Sequence, residues 1–294
     1  MIKKIAIKIL RKLGYSLQRI GNSKFISASL SEILGFEINS GNYSFLSYSL
    51  DFLKALKNHG AVYSFVHDKL IIQIQQLYFQ VNSWDELFIL NEIFAEGVYN
   101  VSFEGNFALL DIGMNVGMAS LYFAHKKNCE VVFAYEPFRE TIEVAKSNMQ
   151  LNKCSEKIQI NNTGLGYPTR TVAVPYSEES RGSAGIHGRS GLSAKRERKI
   201  LKDLHIRDVA EYFSKNLEQY KETFIAKIDC EGAEYEIIER LNHTGLLTKI
   251  NIYMIEWHIE GPEILQSVFI QNGYYVFCRD NNDQTGLLYA IKKS

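Results

Sequence analysis

"LLDIGMNVGMAS", residues 109–120, is an apolar run that ends in an acid and then opens into spaced glycines. An apolar stretch followed by such a turn has the form of a strand entering a helix beneath a bound nucleotide. Gly113 and Gly117 let the backbone turn tightly and approach a ligand without a Cβ in the way. The dinucleotide fingerprint G-x-G-x-x-G is not met, because Asn115 stands where its second glycine belongs and Met118 where its third does. Asp111 closes the strand. A carboxylate there repels a pyrophosphate, which needs a helix N-terminus free of anions, but welcomes a ligand that is itself cationic.

"EVVFAYEP" then brings Glu136 to the end of a second strand, where an acid suits the two hydroxyls of a ribose. Both acids together fit S-adenosylmethionine, with the adenosine at Glu136 and the amino-acid tail and sulfonium near Asp111. An ordinary βα turn is the plain alternative for the loop pattern taken alone. Around it, "FALLDIG", "MASLYFAHKK", "EVVFAYEP", "RETIEVAKSNMQLN", "KIQINN", "FIAKIDCEG" and "IYMIEWH" alternate short apolar strands with amphipathic helical stretches. That rhythm predicts a parallel sheet covered on both faces. The last run, "GYYVFCRDNNDQTGLLYAIKK", predicts a terminal hairpin.

Two strand ends carry candidate chemistry. "AKIDCEGAE" holds Lys227, Asp229 and Glu231, which period-two alternation puts on one side while the backbone stays extended. A capped helix start is the other reading of its acids. "IEWHIEG" holds Glu256 and His258, and a histidine can act as a base near its ordinary value. Lys227, Asp229, Glu231 and His258 are therefore the candidate catalytic residues. No metal is expected, but a divalent cation, were one bound, would take Asp229, Glu256 and His258. Asn161, Asn162 and Thr163 close the third strand, and Asn162 is the candidate reader of the adenine edge.

The bulk numbers belong to a soluble globule: 294 residues, 46% hydrophobic and 22% charged. A formal net charge of +0 gives no global pull toward nucleic acid, and no nucleic-acid partner is expected. Four cysteines without a C-x-x-C pair point to free thiols in a reducing cytoplasm. Residues 1–80 read as a helical and irregular extension, and residues 81–294 as the cofactor domain. The first twenty residues, "MIKKIAIKILRKLGYSLQRI", form a basic amphipathic helix. Packing on the body or on a second subunit of a homo-oligomer is the favoured reading, and peripheral docking on an anionic membrane face is the alternative. "YSEESRGSAGIHGRSGLSAKRERKI", residues 176–200, reads as a solvated excursion or as a basic lid suited to a phosphate-bearing acceptor, with His187 in it.

Four stretches, "LLDIGMNVGMASLYFA", "VFAYEPFRETIEVAKSNMQLN", "AKIDCEGAEYEIIERL" and "MIEWH", together resemble the FkbM family of S-adenosylmethionine-dependent methyltransferases. The resemblance covers roughly residues 84–294, with "KIDCEGAE" its most specific part and "WDELFILNEIFAEGVY" similar to the family's entry segment. It implies the α/β class I methyltransferase fold: a Rossmann-like, seven-stranded, mostly parallel sheet whose last strand inserts antiparallel. It implies cofactor roles for Asp111, Gly113, Asn115 and Gly117 in the loop and for Glu136 on the ribose. Met114 departs from the small residue usual in the family, which puts the loop's path in doubt. The expected activity is O-methylation of a carbohydrate hydroxyl, in assembly of a cell-surface glycan or a secondary metabolite. Two alternatives stand beside it, an NAD(P)-dependent sugar oxidoreductase and a non-catalytic scaffold of the same fold. The missing glycine and the absence of a Tyr-x-x-x-Lys pair count against the first, and the intact acids against the second.

Overall fold

The computed structural model describes residues 23–37, 41–176, 200–221 and 223–293. The expected N-terminal amphipathic helix and most of the expected lid, with His187, lie outside the described residues. The chain opens with helices α1 (Ser23–Leu34) and α2 (Leu50–Asn58), which flank a 3-10 turn at Gly41–Tyr48. An antiparallel meander follows: β1 (Val62–Val66), β2 (Lys69–Ile74) and β3 (Leu77–Val81). These strands correct the expectation of a helical and irregular extension. Both hairpin turns use left-handed residues that carry side chains, His67 and Asp68 (φ 48° and 59°) and Gln75 and Gln76 (φ 48° and 68°). The Asn-Gly or Asp-Gly dipeptides that mark such turns in a sequence are missing, so the punctuation could not be read.

Helix α3 (Trp84–Leu90) starts at the N-cap Ser83, whose Oγ accepts from the Glu86 N–H at 3.2 Å, while the Glu86 carboxylate accepts from the Asn82 N–H at 2.6 Å. It runs on into a π-helical turn, Asn91–Glu96, closed by Gly97 at φ 69°. Then comes the expected alternation: β4 (Phe107–Ile112), α4 (Met118–His125), β5 (Cys129–Tyr135), α5 (Arg139–Gln150) and β6 (Ile158–Asn161). A small sheet interrupts it, made of β7 (Gly164–Gly166), β8 (Arg170–Tyr176) and β9 (Ile200–Asp208), with the basic stretch spanning β8 to β9. The alternation resumes with α6 (Val209–Gln219), β10 (Thr223–Ile228), α7 (Glu234–His243), β11 (Ile250–His258) and α8 (Glu263–Gln271). A hairpin of β12 (Tyr274–Asn282) and β13 (Thr285–Lys292) ends the chain.

The main sheet has seven strands in the order β12-β13-β11-β10-β4-β5-β6. Its central strands pair in parallel, and β13 runs antiparallel between β11 and β12, as expected. This is the Rossmann-like class I methyltransferase fold. Every residue of β4 is buried, because helices cover both faces of the sheet. Phe107 and Leu109 face one core, which they share with α4, the π turn and the meander, while Ala108, Leu110 and Ile112 face the other. Among the described residues no helix is long and apolar enough to cross a membrane, and all four cysteines are unpaired.

The meander is tied to the body by side-chain amides. Asn152 pairs with the backbone of Tyr78 in both directions, at 2.9 and 2.7 Å. Fully buried Asn148 accepts from the Gln80 N–H at 2.9 Å and donates to the Val116 carbonyl at 3.1 Å. It thus joins the meander to the loop after β4. Asn148→Ala leaves two backbone groups unsatisfied and is expected to cost about 1–3 kcal/mol. The midpoint of urea unfolding measures this, and an unchanged midpoint would dismiss the bridge.

Candidate active site

In parallel register, Asp111 of β4 lies beside Lys227 of β10, and the carboxyl ends of β4, β5, β10 and β11 meet along one edge of the sheet. The glycine loop is shaped by its neighbours. Gly113 takes φ 84°, and a Cβ there would lie 1.8 Å from the Asp229 carbonyl oxygen, so the loop crosses in contact with the backbone after β10. Asn115 adopts φ 53°, and its N–H donates to Glu136 Oε2 at 3.0 Å. Gly117 begins α4 at φ 79°, with Ala145 and Met149 of α5 each 3.3 Å from where its Cβ would stand. Met114 is buried in the core, which accounts for the larger residue at that position.

Beneath the loop lies an ion-pair network. The buried ammonium of Lys227 is 3.3 Å from Asp111 and 3.4 Å from Asp229, and it donates to the Gly113 carbonyl at 2.5 Å. Burial opposes its charge, but Asp111 and Asp229 outweigh it and hold the ammonium above its ordinary range. Asp111 is completely buried and also accepts from Ser120 Oγ at 2.5 Å. A cleft adjoins it, lined by Met114, Asn115 and Ala119 of the loop and α4, by Lys227 and Asp229 at the end of β10, and by Glu92 and Tyr99 of the entry segment.

Behind Asp229 stands a cluster of acids around one imidazole. Single ligand atoms of Asp229, Glu256 and His258 all lie within 4.8 Å of one another. Glu234, fully buried at the start of α7, accepts from the His258 backbone N–H at 2.7 Å and meets His258 Nδ1 at 3.0 Å. Glu231 approaches the other ring nitrogen at 3.8 Å. Burial pushes the Glu256 carboxyl up to about 8, helped by Asp229. Burial likewise lifts Glu231 and Glu136 to about 7 each. For His258, burial works against the charge, but Glu234, Glu231 and Asp229 prevail and raise it to about 10.

Several expected roles change. Asp111 sits under the loop with its carboxylate already engaged, so it braces the turn through Lys227 and Ser120 and is shielded from a ligand's ammonium. Lys227 is a strut held cationic between two acids, not a group poised to move a proton. Glu231 does not continue the alternation, because β10 ends at Ile228 and Glu231 turns into the left-handed region at φ 55°. It therefore faces His258, while Lys227 and Asp229 keep to one side as expected. At neutral pH, His258 carries its proton and is not a free base. Asn162 donates to the carbonyls of Glu136 and Pro137 at 3.1 and 2.9 Å, and so secures the turn under Glu136. Glu136 itself stays at its strand tip, one oxygen held by Asn115 and the other by the Phe138 N–H at 3.0 Å. Sequence reading assigns no site role to Ser120, Glu92 or Tyr99, and offers Glu234 only as an acid of a capped helix start. Ser120 was visible as the first polar residue on the inner face of α4, whereas the other three depend on the packing of distant segments.

Residues 111–275 match the Methyltransferase FkbM domain, and the chain belongs to that family. "Methyltransferase 1" of Beauveria bassiana (strain ARSEF 2860) is 23% identical over 184 residues, 58% of this chain and 73% of its own length. "Methyltransferase sdnD" of Sordaria araneosa is 21% identical over 211 residues, 64% of this chain and 82% of its own. The crystal structure of methyltransferase FkbM from Methylobacillus flagellatus KT aligns with 90% of this chain at 13% identity and a TM-score of 0.45. The chain spans 58% of that protein's length.

Two outcomes follow from the electrostatics. Lys227→Met removes the counter-ion of buried Asp111 and leaves it only the Ser120 hydroxyl, so a loss of about 3–5 kcal/mol is expected in denaturant unfolding; a loss under 1 kcal/mol would contradict the strut. Glu136, Glu231, Glu256 and His258 all bind protons more tightly folded than unfolded. Their stabilisation is complete below the unfolded values and is lost as pH rises through the folded ones, between about 7 and about 10. The ligand-free protein should therefore melt at a lower temperature at pH 9 than at pH 6, and a scan showing the reverse would refute this picture.

Proposed function

We propose that the protein is an O-methyltransferase that uses S-adenosylmethionine to methylate a hydroxyl of a carbohydrate acceptor. The cleft between the glycine loop and Asp229, with Glu136 at the neighbouring strand tip, carries this reading. Each Glu136 oxygen already accepts one backbone N–H and keeps a lone pair free, a donor set that fits the two ribose hydroxyls. Carboxylates border the cleft, which favours a cationic ligand over a pyrophosphate. When bound, S-adenosylmethionine supplies an electrophilic methyl group.

The protein's part is alignment and proton removal. Asp229 is the member of the acid cluster that lines the cleft, so it orients the acceptor hydroxyl. Glu256 and Glu231, held near the working pH, are suited to take the hydroxyl proton. Protonated His258, anchored by Glu234, balances the negative charge this leaves. A divalent ion would occupy Asp229, Glu256 and His258, but in this reading the imidazolium supplies the positive charge. An acid-lined reaction end suits a neutral polyol, and the family resemblance points to a sugar.

Calorimetry tests the cofactor. S-adenosylhomocysteine is expected to bind, NAD is not, and Glu136→Ala should remove most of the heat; binding of NAD alone would end this reading. A tritiated methyl donor offered to a panel of sugars tests the rest. Asp229→Asn and Glu256→Gln should each lower turnover by roughly 10²-fold. Unchanged turnover, with or without chelator, would displace the proposed proton path.

A further inference from the structure

The cofactor assigned above carries an α-ammonium group at its amino-acid end, and Asp111, the obvious acid for it, is sealed beneath the loop. The cleft offers another. Glu92 lines it from the π-helical turn, as Asp229 does from the end of β10. Such turns are uncommon and occur often at functional sites. This one is capped at its far end by the Val98 N–H, which donates to the Glu92 carbonyl at 3.1 Å, and by left-handed Gly97. The Glu92 carboxylate forms no hydrogen bond or ion pair among the described residues. Arg279, the cation nearest to it in effect, is engaged with Glu96 at 3.0 Å. Burial above all, then Glu256, Asp229 and Glu96, drive the Glu92 carboxyl up to about 9. An acid this crowded by other acids, on the wall of a cleft, lacks a cation.

Resting on the cofactor reading, we propose that Glu92, on the wall of the cleft, holds the α-ammonium group of the cofactor's amino-acid end. The nucleoside is then fixed at both extremes, by Glu136 at the ribose and by Glu92 at the tail. The entry segment before β4 thereby becomes part of the cofactor site. Formation of the ion pair requires Glu92 to give up its proton, so binding near neutral pH releases a proton to the buffer.

The experiment compares S-adenosylhomocysteine with 5′-methylthioadenosine, the same nucleoside without the amino-acid end, on the full chain by calorimetry. Glu92→Gln should weaken S-adenosylhomocysteine by roughly tenfold to a hundredfold and leave methylthioadenosine within about twofold. Wild-type heats should vary more steeply with the ionisation enthalpy of the buffer for S-adenosylhomocysteine than for methylthioadenosine, and Glu92→Gln should remove that difference. Equal weakening of both ligands, or none, would overturn the role of Glu92. Glu92→Asp, which keeps the charge, should retain part of the discrimination; if it behaves like Glu92→Gln in proton release, the proposal also fails. If wild type binds neither nucleoside, the cofactor reading falls first and this inference with it.

Discussion

The contact on which the site depends is the buried ammonium of Lys227, held between Asp111 and Asp229 and donating to the Gly113 carbonyl. It joins the ends of two adjacent parallel strands to the loop that crosses them. A cation removed from water is costly unless acids and hydrogen bonds surround it, and here both do. The same network leaves Gly113 no room for a side chain, because the loop lies against the Asp229 carbonyl. The turn, the strut and the acid that lines the cleft therefore form one mechanical unit. Ser120 completes it from α4 by closing the second oxygen of Asp111.

A second constraint is charge imbalance. Glu92, Asp229, Glu231 and Glu256 converge where the described cations are already committed: Lys227 to the strut, His258 to Glu234 and Arg279 to Glu96. Buried carboxylates resist ionisation, and each makes the next harder to ionise. The result is a cleft prepared for positive charge and for proton exchange near neutrality. The first property suits a sulfonium donor better than a dinucleotide.

Much of this could be read in the chain. "FALLDIG" and "VVFAYEP" announced buried strands ending in acids, and the structure has Asp111 and Glu136 at those ends. The terminal hairpin and its antiparallel insertion followed from two β-rich runs around a polar turn. The meander escaped because His67-Asp68 and Gln75-Gln76 make left-handed turns without the usual residues. The roles of individual acids also escaped. Strand alternation says which face a carboxylate takes, but not whether a lysine waits there, and Asp111 changed from ligand group to brace for that reason. Glu231 was misplaced because nothing local shows that β10 ends at Ile228 and that Glu231 turns left-handed.

By itself the sequence determined the alternation of strands and helices in the main sheet, the acids at the strand tips and the glycines of the loop. These follow from local periodicity and from the conformations single residues tolerate. Tertiary structure alone decided which acids face the cleft, which are neutralised beneath it, and that Glu92 lines it together with Asp229. Charge state and accessibility depend on neighbours brought together from far apart in the chain, and no local pattern records those distances.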